Sequence, residues 1–427
     1  MSVKLSLKNF INVLIWLSVL TSSFDIFLVF DVAGFTVRIS QIMIIIVMMC
    51  FMIAVFRNGV VSIPVGYFWL ALCVILNAIF MFNSRNLLDA IGYEIWFVFD
   101  ALEILIFVYY FSKSESLESI TYKYITCFVI MACIGLIQWV LQFSNIYFFV
   151  TQKNNMHRCN GFSYEPSYYA TYLLMGWTIC MYLLEKSNFS IFNKKKLVLY
   201  TTIITVAMIL STSRMGIVMM AGYILFRSFK LLLKTGNKKI SIWRFFLILA
   251  PVAICFFVMW CIYQLSRGNT KVIRYFQGLG IAGTSSHSSS DRLKGLRNTF
   301  EVFKKNPIVG CSLGGVDAEI CYNNGYLSIS RGAGMSVFVE MLSALGIFGF
   351  IFWLRYLYIL IYEKYKKIKA KIDPNSNEIV KAYIIALVME FIILQMNQNI
   401  LRPYLWIHIA ILSTVYSIIN IKIRNDI

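Results

Sequence analysis

Charge is scarce in this chain: Asp, Glu, Lys and Arg make up 14% of its 427 residues, whereas 59% are apolar. With a mean hydropathy of +0.73, this excludes a soluble globular domain and a disordered chain. The ten cysteines include no C-x-x-C pair, and seven of them fall in apolar runs, where Cys acts as a small hydrophobe. A disulfide-rich secreted scaffold is excluded as well. A single Cys311–Cys321 bridge stays open. Three histidines make no zinc pattern. A Walker A loop, a nucleophile elbow and a dinucleotide fingerprint are all missing. The apolar runs do not alternate, so a membrane β-barrel is excluded.

What the chain has is long apolar runs, and a membrane-crossing helix needs roughly 20 such residues. Twelve candidate spans follow: Phe10–Phe30, Ile39–Phe56, Pro64–Phe82, Leu87–Phe111, Tyr122–Phe143, Pro166–Leu184, Leu197–Leu210, Met215–Leu233, Phe245–Leu265, Met335–Tyr362, Ile379–Met396 and Tyr404–Ile421. Lys4 and Lys8 before the first run imitate a signal peptide. No A-x-A-like cleavage site follows, so this run is read as an uncleaved span. The expected fold is an all-α polytopic membrane protein of about 12 transmembrane helices, one integral domain over residues 1–427.

The net charge of +19, from 39 Lys+Arg against 20 Asp+Glu, would suggest nucleic acid in a soluble protein. Here, with the N-terminus placed inside, the lysine-rich connections all fall on one side: Lys186 with Lys194–Lys196, Lys230 to Arg244, Lys364 to Lys371, and Lys422 with Arg424. The positive-inside rule accounts for them, and no nucleic acid is expected.

Two substantial loops remain on the outside, 144–165 and 266–334, the second between the ninth and tenth spans. Loop 266–334 is basic, a feature the positive-inside rule does not explain. It suits an anionic partner such as a lipid phosphate, or is a plain solvated loop. Gly278 to Ser290 marks a flexible stretch within it. Leu293–Phe303 reads as an amphipathic helix with Leu293, Leu296, Phe300 and Phe303 on one face, lying on the membrane or packed on the bundle.

Three stretches carry candidate chemistry. His157-Arg158-Cys159-Asn160-Gly161-Phe162-Ser163-Tyr164-Glu165-Pro166-Ser167 leads into a span, with Pro166 suited to its first turn and Glu165 at its positive end. Arg158 is a planar, permanently charged fork for phosphate; an interfacial Arg beside a helix-start Glu is the plainer reading. Ser211-Thr212-Ser213-Arg214-Met215-Gly216 joins two spans. Arg214 there faces an anion, or snorkels to water. The third stretch runs from Asp291-Arg292 to Lys304-Lys305-Asn306-Pro307-Ile308-Val309-Gly310.

In order, these read R-x-x-G-x-x-x-E-P-S, S-x-S-R-x-G and N-P-I-x-G, followed by a span with L-G-I-x-G at Leu345-Gly346-Ile347-Phe348-Gly349. The pattern, over about residues 155 to 350, resembles the bacterial O-antigen and capsule polysaccharide polymerase (Wzy) family, within a superfamily that includes the O-antigen ligases. The resemblance implies a GT-C-like helical glycosyltransferase at the outer face of the bacterial inner membrane, with both termini cytoplasmic. It implies donor and acceptor oligosaccharides on undecaprenyl pyrophosphate, membrane lipid around them, and no metal or nucleotide sugar. A chain-length regulator and a flippase are the protein partners it suggests.

Such a reaction expels a pyrophosphate, so fixed cations are expected to meet the growing charge, and Arg158, Arg214 and Arg292 are the candidates. Glu165 is the nearest motif carboxylate for a general base. His157, His287, Asp291, Lys304 and Lys305 are candidate substrate-binding residues. Ligases carry a His-Asn pair shortly before L-G-I-x-G; Met335 and Ser336 stand there in this chain, which favours a polymerase. The competing class is a transporter, such as the flippase itself. Asp89, Asp100 and Glu103 share a face of the fourth span within about 60°, and Glu390 lies mid-span; such carboxylates mark ion paths, or a polar face buried in the bundle.

Overall fold

Short polar residues ahead of the apolar runs decide where several helices begin. The computed structural model describes residues 7–32, 35–58, 60–150, 157–186, 193–234, 286–325, 336–396 and 400–425. Its helices are α1 (Leu7–Thr21), α2 (Ile39–Asn58), α3 (Tyr67–Phe80), α4 (Leu87–Ser114), α5 (Leu117–Phe143), α6 (Pro166–Leu184), α7 (Lys194–Leu210), α8 (Arg214–Lys234), α9 (Ser286–Lys305), α10 (Leu313–Asn323), α11 (Val337–Tyr358), α12 (Pro374–Ile393) and α13 (Pro403–Asn425). A π-helical turn (Ile359–Glu363) carries α11 on to Ile368.

Side chains of Ser116, Asn193 and Asp373 accept amide hydrogen bonds at the starts of α5, α7 and α12. Those three helices therefore begin five, three and five residues earlier than the apolar runs do, at Leu117, Lys194 and Pro374 rather than Tyr122, Leu197 and Ile379. Apolarity alone overlooks the first turn of a capped helix because that turn is polar.

The first expected span, Phe10–Phe30, is corrected at its far end. Helix α1 stops at Thr21, where the hydroxyls of Thr21 and Ser22 donate to carbonyls of the last turn. The chain then forms an antiparallel hairpin, β1 (Val29–Val32) with β2 (Phe35–Arg38), Val29 facing Arg38. The ninth expected span, Phe245–Leu265, and the glycine-rich stretch up to 285 lie outside the described residues.

Over its described residues the chain is predominantly helical, and the protein is a multi-pass membrane protein. Among the described residues, five helices are long and apolar enough to cross a membrane by themselves: Ile39–Arg57, Leu87–Ser114, Leu117–Phe143, Val337–Ile368 and Pro403–Arg424. Their outer surface suits hydrocarbon: Phe56 is 83% exposed, Ile95 61% and Phe143 61%, which water would penalise. Inside, α13 packs along α4, α12 against α6, and α3 against α11. Trp177, Trp353 and Trp406 are fully buried there.

The connections meet at two ends. At one, Lys186 pairs with Glu378 (2.9 Å), Lys422 with Asp373 (3.2 Å) and Lys364 with Asn420 (2.7 Å). At the other, the residues before the hairpin, the loop before α6 and the loop before α13 touch one another: Asp25 and Ile26 amides donate to the Phe162 carbonyl, and Arg402 bonds Asp25.

Over its described part, 286–325, the long loop is two packed helices. Helix α9 starts seven residues before Leu293, and Thr299 and Val302 form its buried face, while Leu293 and Phe300 are exposed. Helix α10 is buried against α4 and α11. No disulfide joins Cys311 and Cys321.

A backbone joint holds this pair. Gly346, with φ 61° and ψ −173°, breaks α11 and releases groups that the helix would otherwise bond. The amides of Cys311 and Ser312 donate to the Ser343 (3.3 Å) and Ala344 (2.9 Å) carbonyls, and the Ile347 amide donates to the Pro307 carbonyl (2.9 Å). Gly310 is also left-handed (φ 73°). A Cβ on Gly310 would run into the Ala344 carbonyl, and one on Gly346 into the Ile308 carbonyl. N-P-I-x-G and L-G-I-x-G are thus the two halves of one contact.

Gly310→Ala and Gly346→Ala should each destabilise the protein by about 2–4 kcal/mol, through left-handed backbone and overlap with a carbonyl. Because both break the same joint, the double variant should fall well short of the sum. Thermal unfolding in detergent measures this, and full additivity would contradict a shared joint.

Candidate functional site

The loop before α6 is moulded from below by α5. Gln142 accepts from the Arg158 amide (3.1 Å) and donates to its carbonyl (2.9 Å), while Gln138 donates to the Gly161 carbonyl (2.6 Å). Phe162 packs among Phe24, Phe27 and Phe149. These contacts fix the Arg158 backbone, so its side chain emerges from a rigid base.

That side chain reaches the tight turn between α7 and α8. Arg158 Nε donates to the Ser211 carbonyl (3.0 Å) and Nη2 to the Thr212 carbonyl (3.4 Å). Thr212 is left-handed (φ 53°), a costly state for a β-branched residue. The turn is locked by Ser211, whose hydroxyl donates to the Met208 carbonyl (2.6 Å), and Ser213, whose hydroxyl accepts from the Gly216 amide (3.4 Å). Burial lowers the Arg158 pKa to about 10, with Glu165 opposing the fall and Arg214 adding to it. Arg158 remains a cation at neutral pH, and Arg158, Glu165 and Arg214 lie within electrostatic reach of one another. Arg214 opens α8, the helix end where the dipole disfavours a cation.

A second set of charges adjoins the first. Asp25 holds Arg38 (3.1 Å) and Arg402 (2.9 Å), and its other oxygen accepts from the Tyr164 amide (3.4 Å). Arg402 lies 4.3 Å from the Tyr168 ring centre, and its Nε is buried without a hydrogen-bond partner. Tyr168 lies within electrostatic reach of Arg402, Glu165, Asp25 and Arg292. The network therefore joins Arg38, Arg158, Arg214, Arg292 and Arg402, all half-buried, with Asp25 and Glu165, and the buried Asp100 and Glu340 lie within electrostatic reach of Arg38 and Arg402. Glu165 precedes α6 and accepts from the Ser167 hydroxyl (2.9 Å). Among the described residues these five guanidinium groups outnumber the carboxylates around them, an arrangement that suits a multiply charged anion.

Of the expected residues, Arg158, Glu165, Arg214 and Arg292 are brought together. His157 sets its ring edge-on against Phe143 (4.5 Å) beside them. Lys304 and Lys305 lie at the other end of α9 from Arg292, about 20 Å along the helix. Each has a local partner there, Glu301 (2.8 Å) and Asn323. His287 and Asp291 belong to the backbone of α9; their side chains, like Met335, lie outside the described residues.

Sequence reasoning missed Asp25, Arg38, Tyr168 and Arg402. A signal existed for two of them. Arg38 and Arg402 stand in connections assigned to the outside, where the positive-inside rule gives no reason for a cation.

Of the carboxylates that suggested transport, Asp89 and Glu390 have local partners. Asp89 accepts from the Asn86 side chain (2.7 Å) in the first turn of α4. Glu390 is fully buried against His408 Nδ1 (2.7 Å). Asp100 and Glu103 are buried.

The family model described as O-antigen ligase matches residues 199–354. No curated protein matches the chain. The match runs from α7 into α11, a little over a third of the chain, and takes in Arg214, Arg292 and both halves of the Gly310–Gly346 joint. It supports the superfamily of O-antigen ligases and polymerases and a function of that type. Arg158 and Glu165 precede the matched segment.

Asp25→Asn leaves Arg38 and Arg402 facing each other and should cost about 3 kcal/mol of stability, as loss of one partner from a buried ion pair does. Inorganic pyrophosphate should recover part of the loss by binding the freed cations. Melting temperatures with and without pyrophosphate test this; an unchanged variant would show the ion pairs contribute nothing.

Proposed function

We propose that the protein is a polysaccharide polymerase. It joins undecaprenyl-pyrophosphate-linked oligosaccharide repeats into O-antigen or capsular polysaccharide, by transferring the growing glycan to the non-reducing end of a lipid-linked repeat. In this reading the arginine cluster faces the outside of the bacterial inner membrane and both termini face the cytoplasm. A chain-length regulator and a flippase are its working partners.

The observation that carries this reading is the arginine cluster at the bundle end, with more cations than nearby carboxylates neutralise. A leaving pyrophosphate gains negative charge as its bond to the anomeric carbon breaks, and preorganised guanidinium groups favour that state over the ground state. Arg158 and Arg214 take the phosphate oxygens, with Arg292 on α9 completing the grip. The acceptor hydroxyl attacks the anomeric carbon, its proton passes to Glu165, and undecaprenyl pyrophosphate departs with the bonding electrons.

A second reading, ligase, is favoured by the description of the matching family model. Against it stands the position where ligases carry His-Asn. Ser336 there caps α11 and donates to the Gln395 side chain (2.6 Å), a structural task.

Purified protein supplied only with lipid-linked repeats should produce a ladder of longer glycans without nucleotide sugar. Arg158→Ala, Glu165→Gln and Arg214→Ala should each fold and insert normally yet slow chain growth by about 100-fold or more, leaving at most one repeat. Transfer to lipid A core but never to another repeat would establish the ligase instead, and translocation without transfer the flippase. Normal chain lengths in all three variants would move the site elsewhere.

A further inference from the structure

At the end of α7 away from Arg158, α5 and α7 enclose a groove of about 340 Å³, a volume typical of small-ligand sites. Tyr122, Ile125, Leu197 and Tyr200 give it apolar walls, and Glu118 and Lys196 give it a polar rim. Lys196 is exposed and bonds the Tyr122 hydroxyl, its Nζ 4.4 Å from the Tyr122 ring centre and 5.6 Å from that of Tyr200. Lys194 and Lys195, also exposed, precede it. On the same helix Val198 and Leu199 are exposed, which places the groove beside hydrocarbon rather than open water.

An ammonium group at the rim with two more exposed just before it in the chain, apolar walls and a lipid-facing helix have one common complement. We propose that this groove binds an anionic phospholipid with a hydroxylated headgroup, of the phosphatidylglycerol type. Its phosphate rests on Lys194–Lys196, a headgroup hydroxyl donates to Glu118, and an acyl chain runs along Ile125, Leu197 and Tyr200. Free phosphate lacks the chain that the walls require, and a zwitterionic lipid brings an ammonium group towards the lysines. Helix α7 is about 25 Å long, so this site is separate from the arginine cluster at its other end and does not depend on the polymerase reading.

The test uses the purified full chain in a neutral detergent, with phosphatidylglycerol and phosphatidylcholine of identical acyl chains titrated and bound lipid counted by native mass spectrometry. Wild type should prefer phosphatidylglycerol about fivefold or more, and Lys196→Glu should bring that preference to near one. The melting temperature and the response to pyrophosphate should stay at wild-type values. Lys194→Ala combined with Lys195→Ala, at exposed positions, gives a second readout should Lys196→Glu unfold the protein. Equal binding of the two lipids by wild type would overturn the proposal. So would a preference that survives both variants, or displacement of the lipid by glycerol phosphate at the lipid's own concentration.

Discussion

A guanidinium group carries five N–H donors and a charge that cannot be titrated away near neutrality, so it enters a protein only where acceptors wait for it. Arg158 meets that condition through the carbonyls of Ser211 and Thr212, and Arg402 and Arg38 meet it through Asp25. Much of this end of the bundle serves these requirements. The α5 glutamines fix the Arg158 backbone, and the α7–α8 turn adopts a left-handed residue that leaves two carbonyls beside the guanidinium. The residues after α1 bring Asp25 between two arginines that lie far apart in the chain. Among the described residues the guanidinium groups still outnumber the carboxylates around them.

The motifs divide by physical role. Arginines and Glu165 supply charge, whereas the glycines and prolines shape the backbone that presents it. Gly310 and Gly346 let two chain segments approach until their backbones exchange hydrogen bonds, a separation no Cβ would permit. Through that joint α11 holds α9, and α9 holds Arg292. A motif that reads as one recognition pattern is therefore partly a hinge of packing and partly chemistry.

The two ends of the bundle are built differently. At the arginine end the cations are half-buried guanidinium groups. At the other, Glu378 serves both Lys186 and Lys381, and Asp373 bonds Lys422; there Asp373 is held at about pKa 2, burial opposing and hydrogen bonds from Ser376 and Lys422 prevailing. Lys194–Lys196 extend beyond that pairing at the edge of the lipid-facing surface.

The helical, membrane-embedded class followed from composition, because long apolar runs in water have no other stable destination. Arg158, Glu165, Arg214 and Arg292 were legible as candidates, since each stands in a local pattern that contiguous residues reveal. Helix starts were less legible where a capping Ser, Asn or Asp opens a polar first turn, as at Leu117, Lys194 and Pro374. The hairpin at Val29–Arg38 and the buried α10 were hidden because their apolar content resembles a span or a loop until packing assigns it. Only the tertiary structure brought Asp25, Arg38, Tyr168 and Arg402 to the site. Those contacts cross up to 377 residues of chain, and no periodicity within a segment encodes a charge pairing made between the ends of different helices.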